Sequence, residues 1–321
     1  MGNKRYWLRA IIILILAGFV FYNRTSGSHP STYEARAMAV MSQEVQKQDV
    51  KKGEEILKDL ACGRGAGIYH FQAEGDLTPN AGIEKIIGVT ISKDRGLVGI
   101  FSNNQDQPVM LTYINTLPIQ EVKVIRLENG HNAVLVRELL DERFGAYFLS
   151  SFYVLYTWEG HGLKEVWRKV VGNEERWNKK WFNQGKGWQG VTEKVATDFS
   201  HKDGKLLIKT ISNQTLWASE DVNSSRKNVR SRTVTHTYCW NPAWGAMVMA
   251  EGRVSKNTSL KIRQGNKYID KQKLKAGEKV AILEEEDLLS WLKPGEPAYW
   301  RVKTKNGQVG YILKSEIDYL P

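Results

Sequence analysis

From residue 61 to the C-terminus the chain repeats one device, a run of β-branched and aromatic residues ended by Gly, Asn or Asp. Such runs suit a pleated, half-buried surface, and the residues that end them supply the tightly turned backbone a reversal needs. The clearest runs are 86–91, 97–101, 133–137, 146–149, 153–158, 206–210 and 232–240. The expected fold class is therefore mainly β, with antiparallel strands through the domain 61–252. Segment 155–167 reads as a hairpin reversing at Gly160 and Gly162, and 237–248 echoes its pattern of tryptophan, turn and strand.

That recurrence is similar to blade fragments of secreted β-propellers, and a twisted antiparallel sheet accounts for it equally well. The last stretch, 255–321, holds shorter strands. Leu260 and Ile262 alternate before Arg263, Leu274 leads to a turn at Gly277, and Val280, Ile282 and Leu283 form the next strand. Asn306-Gly307 is the pair a primed hairpin turn prefers, because both of its central residues take positive φ. Strands this short bury enough apolar area only when the sheet curls on itself, so a small barrel is expected.

The ordered set Leu260-Lys261-Ile262-Arg263-Gln264-Gly265, Leu274-x-x-Gly277-x-x-Val280, Trp300-x-Val302 and Gly307-x-x-Gly310-Tyr311-Ile312 resembles the bacterial SH3-like domain. It departs from the usual pattern at Lys261 and in a long acidic and aromatic insertion, 284–299. The resemblance implies binding of peptidoglycan peptides or other envelope polymers without catalysis. Tyr268, Trp291, Tyr299, Trp300 and Tyr311 are the contact residues it points to. The competing reading is that a small barrel needs large aromatics in its core, with Trp300 and Tyr311 the most buried.

Lys4, Arg5 and Arg9 precede an apolar run at 10–22, and Arg24 follows it. Positive charge stays on the cytoplasmic side, so 1–25 is expected to be a signal anchor, or a cleaved signal peptide, that sends the remainder outside. The expected location is the cell membrane, single-pass, with the C-terminal domains extracytoplasmic; secretion is the alternative. Residues 26–60 read as a helical spacer. Ser31 and Glu34 form a capping box, Tyr33, Ala37, Met41 and Val45 a thin apolar stripe, Gly53 an interruption, and Ile56, Leu57 and Leu60 a last turn stopped at Gly63.

The formal net charge of +11 has to be read in that compartment. Basic residues gather at 256–279 and 226–232, where anionic wall polymers or lipid headgroups are the available partners. Nucleic acid is not expected outside the cell. Trp177, Trp181 and Trp188, set among Arg, Lys, Asn and Gln, form either a glycan-stacking platform or core and loop anchors. The two cysteines, Cys62 and Cys239, are disulfide candidates, with free thiols the alternative.

None of the six histidines falls in a His-x-x-x-His, Cys-x-x-Cys or Gly-x-Ser-x-Gly setting, so the sequence marks no metal, cofactor or nucleophile site. The expectation is a non-enzymatic, membrane-tethered wall binder. The alternative is an exported wall hydrolase or transferase whose carboxylates are recognisable only by geometry.

Overall fold

The computed structural model describes residues 46–320 apart from 65–67, 80–81, 103–107, 129, 145, 183, 265–266, 287–290, 293–294 and 296. The apolar run at 10–22 and the capping box at Ser31 lie outside the described residues, among which no helix is long and apolar enough to cross a membrane. The described chain divides into two units, one ending at Met249 and the other beginning at Ala250.

Ile56, Leu57 and Leu60 recur at helical spacing, and they place one face of a continuous helix, α1 (Gln46–Ala61), on a sheet. That sheet holds β1 (His70–Gly75), β2 (Glu84–Ser92), β3 (Arg95–Phe101) and β4 (Met110–Thr116), antiparallel and in chain order. Leu57 and Leu60 meet Ile87, Val89, Leu97 and Phe101. Two expectations are corrected here. From Gly53 to Leu60 the segment packs on the sheet and is not a free-standing spacer. Gly53 does not interrupt the helix: a Cβ there would lie 2.3 Å from Leu97 Cδ1 and 2.4 Å from Ile91 Cδ1, so the missing side chain is what lets the helix approach the sheet.

The other face of this sheet lies against β5 (Ile119–Glu128), with Thr90 Oγ1 accepting from the Ile119 amide at 2.8 Å. From β5 the chain meanders through β6 (His131–Phe144), β7 (Ala146–Glu159), β8 (Gly162–Asn178), β9 (Trp188–Lys202) and β10 (Lys205–Ser219). Each strand pairs with the next, and β10 returns to β5 at Lys205↔Glu128, closing a six-strand barrel. β11 (Lys227–Asn241) runs beside β10, and β12 (Ala246–Val248) beside β11. The propeller alternative is thereby excluded. Strands β6 to β10 are 14 to 17 residues long and run on into one another around a ring, whereas blades are separate small sheets. The hairpins at Glu159↔Gly162 and Asn241↔Ala246 both form, within the same sheet.

Leu135, Leu155, Trp167, Leu206, Ile208 and Tyr238 pack together from five strands, with Tyr153 and Phe199 against them. Their rings meet edge to face, Trp167 and Tyr238 at 5.6 Å and Tyr153 and Phe199 at 5.7 Å, an arrangement aromatic quadrupoles favour.

The second unit is one antiparallel series of β13 (Ala250–Val254), β14 (Thr258–Gln264), β15 (Lys267–Leu274), β16 (Lys279–Glu286), β17 (Tyr299–Thr304), β18 (Val309–Leu313) and β19 (Ile317–Leu320). Its spatial order is β15-β14-β18-β17-β16-β13-β19, so the first and last strands are neighbours. Among the described residues the pairings leave β15 and β19 as edges. The closed ring of pairings is in the first unit, and the small barrel expected here does not close by pairing among the described residues. The sheet nonetheless covers both of its faces, because the adjacent residues Tyr311 and Ile312 point to opposite sides and are 1% and 0% exposed.

Candidate functional site

Strand register gathers an aromatic and cationic face in the second unit. Arg301 lies opposite Tyr311, which puts Tyr299, two residues earlier on β17, diagonally beside Tyr311 on the same face. On the other side of β18, Lys261 of β14 pairs with Tyr311, and Arg263, two residues on, pairs with Tyr268 of β15. Lys261, Arg263, Tyr268, Tyr299, Arg301 and Tyr311 therefore share one side.

The rings are in contact. Tyr268 stacks on Tyr299 with centroids 3.9 Å apart and meets Tyr311 edge-on at 5.3 Å. The Arg263 guanidinium lies 5.9 Å from the Tyr268 centroid. Tyr299, Tyr311 and Arg263 are buried, while Tyr268 is half-buried and forms the accessible part of the cluster. Lys261 bonds Asp270 at 2.5 Å, and that bond holds the Asp270 carboxyl below the usual carboxylate range. Arg301 pairs with Glu284 at 3.8 Å. What this face offers is a half-buried ring bordered by Arg263, Lys261 and Arg301, the latter two already paired with Asp270 and Glu284.

Of the five contact residues expected from the resemblance, three converge. Trp300 does not. It points to the opposite side of β17, half-buried, 6.3 Å from the Tyr319 ring, with Lys314 Nζ 4.5 Å from its own. The expectation that Trp300 would be among the most buried is corrected. Successive strand residues face opposite ways, and β15 covers the side that Tyr299 occupies. Trp291 is half-buried in a short helical turn of the 284–299 insertion.

In the first unit the three tryptophans do not assemble into one platform. Trp177 lies opposite Gln189 and Trp188 opposite Asn178, so the two tryptophans are on opposite faces of the β8–β9 ladder. Trp181 and Trp188 do meet, edge to face at 5.5 Å. Cys62 and Cys239 are separate free thiols, which corrects the disulfide expectation. Cys62 is exposed at the end of α1, and partial burial pushes the Cys239 thiol up.

Sequence reasoning missed a buried ionic group between β6, β7 and β8. Glu138 Oε2 accepts from Arg168 at 3.0 Å, Glu138 Oε1 accepts from the Tyr156 hydroxyl at 3.2 Å, and Arg168 also donates to Glu165 at 3.0 Å. Glu138 is fully buried. Burial pushes its carboxyl up, and Arg168 opposes that shift. The signal was the charged pair Arg137-Glu138 inside the apolar run 133–140. A second polar row joins Glu193, which accepts from Ser212 and Gln214, to Arg232, which donates to Gln214. Among the described residues no three His, Cys, Asp or Glu side chains are grouped to hold a metal ion.

Comparison with known proteins gives no match among family models, curated proteins or solved structures.

Proposed function

We propose that this chain is a non-enzymatic, extracytoplasmic envelope protein that binds peptidoglycan or an associated anionic wall polymer through its C-terminal unit. The observation that carries the reading is the Tyr268, Tyr299 and Tyr311 cluster bordered by Arg263 and Lys261. It falls within the residues that resemble the bacterial SH3-like domain. Wall peptides present carboxylates and apolar side chains, and teichoic polymers present phosphates. Both chemistries match a half-buried ring flanked by cations. The membrane tether rests on the basic-flanked run at 10–22.

Purified wall sacculi mixed with the protein and pelleted test the reading. Retention without loss of turbidity is expected, with weaker retention for Tyr268→Ala and none after deletion of residues 255–321. Solubilised wall fragments would replace the binder with the hydrolase alternative. Retention unchanged by the deletion would move the site out of the C-terminal unit. A reporter fused after Pro321 tests the topology, and activity on the cytoplasmic side would end the proposal.

A further inference from the structure

We infer that the turn between β8 and β9 is a bilayer-docking tip for anionic lipid headgroups, whatever the C-terminal unit binds. From residue 176 to residue 190 the sequence carries Arg176, Lys179, Lys180 and Lys186 and no Asp or Glu. Pairing of the two strands ends at Asn178↔Trp188, and the loop beyond is held by its own hydrogen bonds. The Lys179 amide donates to the Gly187 carbonyl at 2.9 Å, the Gln184 amide to the Lys179 carbonyl at 3.0 Å, and the Lys180 amide to Asn178 Oδ1 at 3.0 Å. A single 3-10 turn, Lys179–Phe182, projects from this closed base.

Trp181 sits on that turn with 51% of its surface exposed, braced on its inner side by the Trp188 ring. Lys180 and Lys186, on the same loop, are also exposed. Among the described residues Lys179, Lys180 and Lys186 take part in no ion pair. Of the carboxylates nearby, Glu174 pairs with Arg226 at 2.5 Å and Asp141 with Arg143, while Asp221 accepts from the amides of Asn223 and Ser224 at 2.7 and 2.8 Å and keeps its charge. Glu220 and Asp221 are the exposed acids of the neighbouring turn, where Val222 is also exposed, and the tip itself carries none.

An exposed indole on a loop that carries three lysines matches the bilayer boundary. The ring enters the headgroup and acyl border, and each ammonium gains from an anionic surface. A glycan fits less well. Stacking a sugar requires an open ring face with polar groups fixed beside it, whereas these rings meet edge to face and Trp177 lies on the other side of the ladder.

The full-length chain is mixed with vesicles of brominated phosphatidylcholine with or without phosphatidylglycerol, and tryptophan quenching is compared between the wild type and Trp181→Phe. The difference isolates Trp181 from the other indoles. Bromine quenching of the Trp181 component is expected only when phosphatidylglycerol is present. Replacing Lys179, Lys180 and Lys186 together by Gln should weaken the effect by about fivefold per charge at low salt. An unquenched Trp181 component in both vesicles would overturn the proposal. So would a component shielded from aqueous quencher by soluble wall glycans and not by vesicles, which would assign the tip to sugar.

Discussion

Replacing Arg168 by Met removes the cation bonded to Glu138 while keeping an unbranched apolar stem in its place. Glu138 is 0% exposed and the Arg168 side chain is 10% exposed, so water cannot take the cation's place. Breaking a buried pair from one side costs about 3–5 kcal/mol, because the remaining charge stays buried without compensation. The pH dependence follows from the direction of the shift. Burial already raises the Glu138 carboxyl in the folded state and Arg168 opposes this, so the variant's folded pKa lies higher still. Between the unfolded carboxylate value and that raised value, the folded state holds a proton the unfolded state lacks. Stability therefore falls as pH rises through this window, and the deficit shrinks on acidification. Pulsed hydrogen exchange across a urea titration, read at β6 to β8 amides, measures the loss in this unit alone. Arg168→Met with Glu138→Gln should regain most of it, since Gln keeps an acceptor for the Tyr156 hydroxyl. A loss equal at acid and neutral pH, or a double variant no better than the single one, would refute the reasoning.

Gly53→Ala should destabilise the first unit by about 1–3 kcal/mol in urea unfolding, although alanine is the better helix former, because its Cβ would overlap the ends of Leu97 and Ile91. Tyr311→Ala should cost about 3–5 kcal/mol of stability in the second unit, as expected for a fully buried aromatic. Tyr268→Ala should instead leave the fold intact in circular dichroism and weaken wall binding. Cys62 should react with a thiol reagent before Cys239, which is partly buried and has a raised thiol pKa; equal rates would contradict the placement.

The strand content was legible because burial on a sheet leaves a mark of period two, and runs 86–91, 97–101 and 206–210 fall inside β2, β3 and β10. Ring closure was not legible. It depends on Lys205 meeting Glu128, a pairing between segments far apart in sequence that no local pattern encodes. The runs 146–149 and 153–158 are one strand, since Ser150 and Ser151 are buried within β7 and do not turn.

Turn chemistry misled in one place. Asn306-Gly307 does reverse the chain, yet only Gly307 has positive φ, at 83°, and Asn306 acts through its side chain, accepting from Thr304. The pair with two positive φ values is Asp203-Gly204, at 52° and 76°, between β9 and β10. At the candidate site the aromatic residues were legible as a group, but which of Tyr299 and Trp300 faces β15 is a matter of register. One residue of slip would exchange them.

The most direct test of the account is backbone amide shift mapping of the protein titrated with soluble wall muropeptides. The account predicts that perturbations concentrate at Arg263, Tyr268, Tyr299 and Tyr311 and vanish in Tyr268→Ala. Shifts confined to the barrel of β5 to β10, or none at saturating muropeptide, would contradict it.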